Sequence, residues 1–240
     1  NKADANLGVA VETDNITPDN AGGGTFAVEY QGHMFLLNRF PDYHALVWSK
    51  RYRPESFPTE NLIYVGQPDD QMIAGTVIGG VLGVFTPRTK YRVTGTTTTG
   101  FVAQEALTHR GTAARYTVVG TELGAIFVAS DGVYITNFVS PDIKMTNDIE
   151  GLFSGETIND YTPINWTPAL LMAGEVYRNR YYFSYSDGSG TTPNRVAVYS
   201  HDTKKWYFYS NLAFSSFYHD GFTALFMAGQ SAASQKLILK

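Results

Sequence analysis

The chain contains no cysteine, which excludes disulfides, thiolate catalysis and zinc sites built on cysteine. No run approaches the roughly 20 consecutive apolar residues that carry a helix across a bilayer. The first residues, Asn1 to Gly8, lack the basic-then-apolar layout of a secretory leader. Positive charge is short as well: 18 lysines and arginines stand against 22 aspartates and glutamates, for a net charge of −4. A surface of that sign lacks the clustered cations that hold a nucleic-acid backbone. The basic stretch Lys50 to Arg53 is broken by Tyr52 and followed by Pro54, and reads as a solvated strand end. The chain starts at Asn1 without a methionine and stops at Lys240 inside an apolar alternation, the ends expected of a processed or partial chain.

What is present points to β-structure. Of 240 residues, 43% are hydrophobic, and the aromatics include 16 Tyr and 15 Phe. Such side chains fit a pleated, half-buried surface, and 23 Gly with 10 Pro supply the corners. Five stretches share one layout of apolar strand, tight turn and second strand. They are "GHMFLLN" to "HALVWSK", "GVLGVFT" to "KYRVTG" and "GAIFVAS" to "GVYITN". "RYYFSYS" to "RVAVYS" and "KKWYFYS", then "FTALFMAG" to "KLILK", complete the set. Marked by Met34, Leu82, Ala125, Tyr181 and Ala224, they recur at steps of 48, 43, 56 and 43 residues. That is the spacing of propeller blades. The expected fold is all-β: propeller-like repeats of antiparallel sheets, about five blades or part of a larger ring, with one short helix insertion. Residues 1–24, polar and glycine-rich, read as an arm or linker, and 25–240 as the propeller domain.

In "GAIFVASDGVYITN" both faces of the first strand are apolar, as stacked blades require, and Asp131-Gly132 is a hairpin corner. Asp187-Gly188 and His201 to Lys204 carry similar turn signals. "SPDIKMTNDIEGLF" breaks the pattern. Ser140 as N-cap, Pro141 at the first helical position, Asp142 in the first turn and Gly151 as a stop predict a helix over 141–150. With the polar loop "SGETINDYTPINW" it accounts for the 56-residue step. Extended loops of this kind meet neighbours or ligands. Ser140, Pro141, Ile143, Ile149, Phe153 and Trp166 are therefore the candidate interface residues.

No catalytic constellation stands out. The five histidines, 33, 44, 109, 201 and 219, lie far apart. Asp69-Asp70 follows Pro68 as a turn, and adjacent strand residues face opposite ways, which is poor geometry for sharing a proton. Glu150 closes the predicted helix. Glu105, ahead of His109 and Arg110, has apolar neighbours but reads as a solvated or paired carboxylate. "SDGSGTTPN" lacks the spaced ligands and terminal Glu of a calcium loop. Gly79-Gly80 leads into no phosphate loop, and no Gly-x-Ser-x-Gly elbow occurs. Of the Asp-box of sialidases only Ser130-Asp131-Gly132 is shared, the Gly-His of Trp-Asp propellers occurs once at Gly32-His33 and Trp-Asp never, and of the Gly-Gly that recurs in Kelch blades only Gly79-Gly80 directly precedes a blade strand. No enzyme activity, metal or cofactor is expected.

The order of several features resembles the β-propeller of nozzle or tail-tube proteins from short-tailed bacteriophages. These are "HMFLLNR…LVWSKRYRPESFP", "IGGVLGVFTPRTKYRVTG", "GAIFVASDGVYITN" before a Ser-Pro helix, and "NRVAVYSHDTKKWYFY". The likeness spans most of the chain through short, tolerant motifs. It implies a structural virion protein, located in the phage tail, that forms a homo-oligomeric ring, meets other tail or portal proteins and carries no catalytic residues. A mildly acidic surface then lets DNA pass without specific binding, and no membrane is involved. The alternative reading is a carbohydrate-binding or glycan-cleaving propeller, with Trp48, Trp166 and Trp206 available for stacking on sugars where exposed. A third is a protein-interaction propeller of cellular origin.

Overall fold

The computed structural model describes residues 24–39, 41–210, 212–219, 224–228 and 236–239. The expected arm lies outside these, except for Gly24, which opens the first strand. The chain divides between Gly111 and Thr112 into two compact units. The described strands form five antiparallel sheets, built almost entirely from sequential hairpins. This is an all-β fold of propeller-like sheets.

The first unit holds two four-stranded meanders. One runs β1 (Gly24–Tyr30), β2 (His33–Arg39), β3 (Ala45–Trp48) and β4 (Leu62–Tyr64). The other runs β5 (Ala74–Ile78), β6 (Val81–Phe85), β7 (Lys90–Thr96) and β8 (Gly100–Glu105). Strand β2 alternates strictly between buried and half-buried positions, the period of a strand with one face on a core. The two sheets share that core: Phe35, Leu37, Leu46 and Trp48 from the first meet Leu82, Val84, Val93 and Phe101 from the second. Gly75 on β5 permits the close approach, since a Cβ there would lie 2.9 Å from Leu37 Cδ2. Phe35 and Phe101 meet edge to face at 5.0 Å, a pairing worth about 0.5–1.5 kcal/mol beyond the area it buries.

The second unit opens with β9 (Val119–Thr121), β10 (Gly124–Ala129), β11 (Gly132–Thr136) and β12 (Ile143–Lys144), in the order β12-β11-β10-β9. Every residue of β10 is buried, as its two apolar faces predict. Next come β13 (Ile164–Asn165) and β14 (Gly174–Tyr177), which pair with opposite halves of β15 (Arg180–Asp187). β16 (Arg195–Ser200) and β17 (Lys205–Ser210) extend that sheet. β18 (Ser216–His219), β19 (Leu225–Ala228) and β20 (Lys236–Leu239) form the last. The five stretches expected from the repeat give six strand pairs, and all six are present as antiparallel partners.

The predicted helix over 141–150 is displaced. Residues Ile143 and Lys144 instead pair with Ile135 and Tyr134, extending the sheet by β12. The local reason is Asn137, whose Oδ1 accepts the N–H groups of Val139 (3.0 Å) and Ser140 (2.8 Å). With its backbone N–H thus engaged, Ser140 closes a turn instead of capping a helix. A 3-10 turn, Asn147–Ile149, then leads into a short helix α1 (Glu150–Ser154). Gly151 sits inside α1. The stop is Gly155, at φ +94, whose N–H returns to the Gly151 carbonyl.

Candidate functional site

The segment singled out in the sequence reaches a surface cleft of about 540 Å³ on the second unit. Ile143, Lys144, Met145, Asn147 and Asp148 form one wall, Leu123 and Ile135 the sheet side, and Tyr199, His201 and Lys204 the opposite wall. The walls are fixed from behind. The Trp206 indole N–H donates to the Met145 carbonyl over 2.8 Å, tying β17 to the strand-to-helix connection. Tyr199 packs on Trp206 at 5.2 Å and on His201, edge to face, at 5.1 Å. Lys144 Nζ pairs with Glu150 Oε1.

The chemistry of this cleft is mixed. Leu123 is 71% exposed and Ile143 67%, so the rim offers aliphatic surface to solvent. Asn147, Asp148 and Lys204 are exposed polar groups beside it. Burial lowers the pKa of His201, opposed in part by Asp202, so at neutral pH the ring is uncharged. Burial, with the nearby Asp148 charge, raises the Tyr199 phenol above its ordinary value. An aliphatic rim flanking an aromatic wall and a few charges suits association with another surface better than bond-making.

The candidate interface residues separate into two groups. Ser140, Pro141 and Ile143 are exposed. Ile149 and Phe153, by contrast, are 5% and 8% exposed and belong to the unit's own core with Leu152, Met172 and Phe183. Trp166 packs half-buried against Phe153 at 6.1 Å. Ile149 and Phe153 thus seat the short helix on the core of the second unit. The sequence reading placed none of Leu123, Tyr199, His201 and Lys204 at a site, and took His201 to Lys204 only as a turn. Only Leu123 carried a local signal, as a large apolar residue between β9 and β10, where a turn residue is ordinarily polar.

The other polar candidates are structural. Glu105 Oε1 accepts from Thr89 Oγ1 (3.0 Å) and meets His109 Nδ1 (2.8 Å) in an exposed pair. Asp69 pairs with Arg88 at 2.9 Å in the open, while buried Asp70 accepts from the Thr86 hydroxyl at 2.6 Å. Asp131 accepts from the Tyr134 hydroxyl at 2.8 Å across its own hairpin corner. Asp187 closes the "SDGSGTTPN" loop, accepting from Asn194 Nδ2 (2.6 Å) and Arg195 Nε (2.8 Å). Among the described residues no group of three His, Cys, Asp or Glu is placed to hold a metal ion, and no helix is long and apolar enough to cross a membrane.

The fold and the cleft define an all-β, propeller-like chain with an amphipathic surface cleft. No family model matches the sequence, and no curated protein does. Among solved structures it is similar to an exported protein of Bacteroides fragilis, at 9% identity and a TM-score of 0.44, over 87% of this chain and 69% of that one. It is also similar to the N-terminal domain of Nup159, at 9% identity and a TM-score of 0.49, covering 90% of this chain and 61% of that domain. A third similarity is to the AfRom2 CNH domain, at 8% identity and a TM-score of 0.44, over 91% of this chain and 80% of that one. At such identities no function passes from these proteins to this one.

Proposed function

We propose that the protein is a structural component of a phage virion, a nozzle or tail-tube protein that assembles as a ring through contacts between copies and with other tail or portal proteins. It works through its surfaces and not by catalysis, and its mildly acidic exterior lets DNA pass without specific binding. The observation that carries the reading is the exposed aliphatic rim of the unit 2 cleft, Leu123 and Ile143, beside the polar turn Ser140-Pro141. Side chains that size at over two-thirds exposure suit an interface, where burying each would contribute about 1.5–3 kcal/mol.

Light scattering after size exclusion tests it. The expected species is a discrete ring of about 6 to 12 copies closed by cyclic symmetry, and Ile143→Asp is expected to reduce it to smaller species. Because Ile143 is exposed on a two-residue edge strand, the melting behaviour of the variant should stay within about 0.5 kcal/mol of the parent. A parent chain that remains monomeric at high concentration, or that retains duplex DNA strongly and salt-sensitively, overturns the proposal.

A further inference from the structure

The sheet that β15, β16 and β17 share with β14 carries a small recess, of about 280 Å³, that the structural role leaves unused. Its wall is made by Arg180, Val198, Ser200, Thr203, Tyr207 and Tyr209. We propose that this recess binds a small tetrahedral oxyanion of the phosphate class, with Arg180 as its counter-cation.

Strand register gathers the donors. Tyr177, Arg180, Ser200 and Lys205 stand opposite one another across β14, β15, β16 and β17 as successive antiparallel partners. Their side chains therefore leave the same face of the sheet, neighbours about 5 Å apart. The next row on that face is Glu175, Tyr182, Val198 and Tyr207, and Tyr209 follows opposite Val196. Arg178, in the two-residue turn between β14 and β15, stands over the Tyr177 ring at 5.2 Å.

This row has cations and donors without acceptors. Arg178, Arg180 and Lys205 make no ion pair among the described residues, whereas Arg88, Lys144 and Arg195 are each matched by a carboxylate. The carboxylates at hand are engaged elsewhere. Glu175 Oε1 accepts the Val176 N–H at 2.9 Å and faces His219 Nε2 at 3.7 Å, and Asp202 Oδ1 accepts from Asn179 Nδ2 at 2.6 Å. Tyr177 is 6% exposed, and its buried hydroxyl has no hydrogen-bond partner, although a buried phenol ordinarily has one. Ser200, 4% exposed, accepts the Thr203 N–H at 3.4 Å and gives its own hydrogen to nothing among the described residues. The Thr203 and Tyr207 hydroxyls are 3.4 Å apart, so one donates to the other and one hydrogen stays open. Burial raises the pKa of the Tyr182 phenol and Arg180 pulls it back, which places the guanidinium charge over this face.

These groups define the ligand class. The wall offers a guanidinium and hydroxyl donors and no carboxylate, a set complementary to a ligand whose polar atoms all accept. The guanidinium fork matches an oxyanion bidentately. Phosphate carries about −1.5 to −2 charges at neutral pH, and its tetrahedral oxygens reach Ser200, Thr203 and Tyr207 while two of them meet Arg180. A flat carboxylate has two oxygens and satisfies fewer of these donors. A saccharide needs acceptors for its own hydroxyls, and the recess is smaller than the roughly 300 Å³ at which small-molecule sites begin. None of its residues belongs to the cleft of Leu123 and Ile143, so the site does not depend on ring assembly.

Equilibrium dialysis of the full chain against labelled inorganic phosphate, at constant ionic strength, tests it. Saturable uptake of one ion per chain is expected. Arg180→Gln is expected to weaken it about tenfold and Tyr207→Phe, which keeps the ring, several-fold. Arg88→Gln, on the other unit, should leave it unchanged. Absence of saturable uptake overturns the proposal, as does uptake undiminished by Arg180→Gln. Competition by sodium acetate as effective as that by unlabelled phosphate overturns the tetrahedral class. Equally effective competition by dimethyl phosphate overturns the free ion in favour of a backbone phosphodiester.

Discussion

Replacing Tyr181 by phenylalanine removes one oxygen from the interior of the second unit, and the cost follows from the geometry. Tyr181 on β15 is fully buried, and its hydroxyl donates to the Thr117 carbonyl over 2.8 Å. Thr117 is itself strapped to the neighbouring sheet. Its hydroxyl donates to the Ala114 carbonyl at 2.6 Å and accepts the Val128 N–H of β10 at 3.3 Å. The bond therefore joins two sheets of one unit through a buried segment. Phenylalanine keeps the ring and its stacking on Phe183 at 6.2 Å, so apolar burial hardly changes. What goes is a hydrogen bond whose acceptor stays buried, a loss of about 1–2 kcal/mol. In a chain of this size that lowers the melting midpoint by roughly 2–8 °C, readable by calorimetry. A midpoint unchanged by the substitution would refute the strap. The pH dependence is a second check. Burial pushes the Tyr181 phenol far above its ordinary value. The unfolded chain ionises first, near pH 10, so this stability is present below about pH 10 and lost as pH rises above it. The gap between parent and Tyr181→Phe should accordingly narrow in strong alkali.

Two further substitutions probe the second unit. Gly132, at φ +154, leaves no room for a side chain, since a Cβ would sit 2.4 Å from Thr146 Oγ1 and 3.0 Å from Lys144 Cε. Gly132→Ala should cost about 1–3 kcal/mol and disturb the Thr146 hydroxyl that accepts the Val133 N–H; an unaltered melt would show that the corner tolerates displacement. For Asp187, burial raises the pKa but the bonds from Arg195, Asn194 and Thr162 outweigh it and hold it below the ordinary carboxylate range. Its contribution is thus present above about pH 4 and lost as pH falls below that. Arg195→Met should destabilise by about 2 kcal/mol, less than the 3–5 of a fully buried broken pair because Asn194 remains, and should flatten the acid limb of a stability–pH curve; an acid limb identical to that of the parent would sink the account.

The strand pairs were legible because each is a local event. An apolar alternation, a turn and a second alternation lie within about 20 residues, and a two-residue corner such as Ser130-Asp131, which leaves Ala129 opposite Gly132, fixes register by itself. The outer strands were harder. β4, β9 and β12 have only two or three residues, too few to show a period, and they form because an adjacent strand edge has unpaired backbone groups to satisfy. The helix was misplaced for the same reason. Pro141 and Ser140 carry genuine helix-start chemistry, yet the edge of β11 captures Ile143 and Lys144 first. Ile149 and Phe153, interface candidates because their segment extends from the β repeat, are drawn into the core by Met172 and Phe183, residues whose proximity no local pattern announces.

By itself, then, the sequence determined the class: β-rich composition, a repeat of hairpins, and the absence of clustered cations, cysteines or catalytic motifs all act through residues close together in the chain. The tertiary structure alone decided the sites. The unit 2 cleft gathers Leu123, Ile143 and His201, which lie far apart in the chain. Which apolar group stays exposed and which joins the core depends on how separate sheets pack, and packing is set by shape across the whole unit.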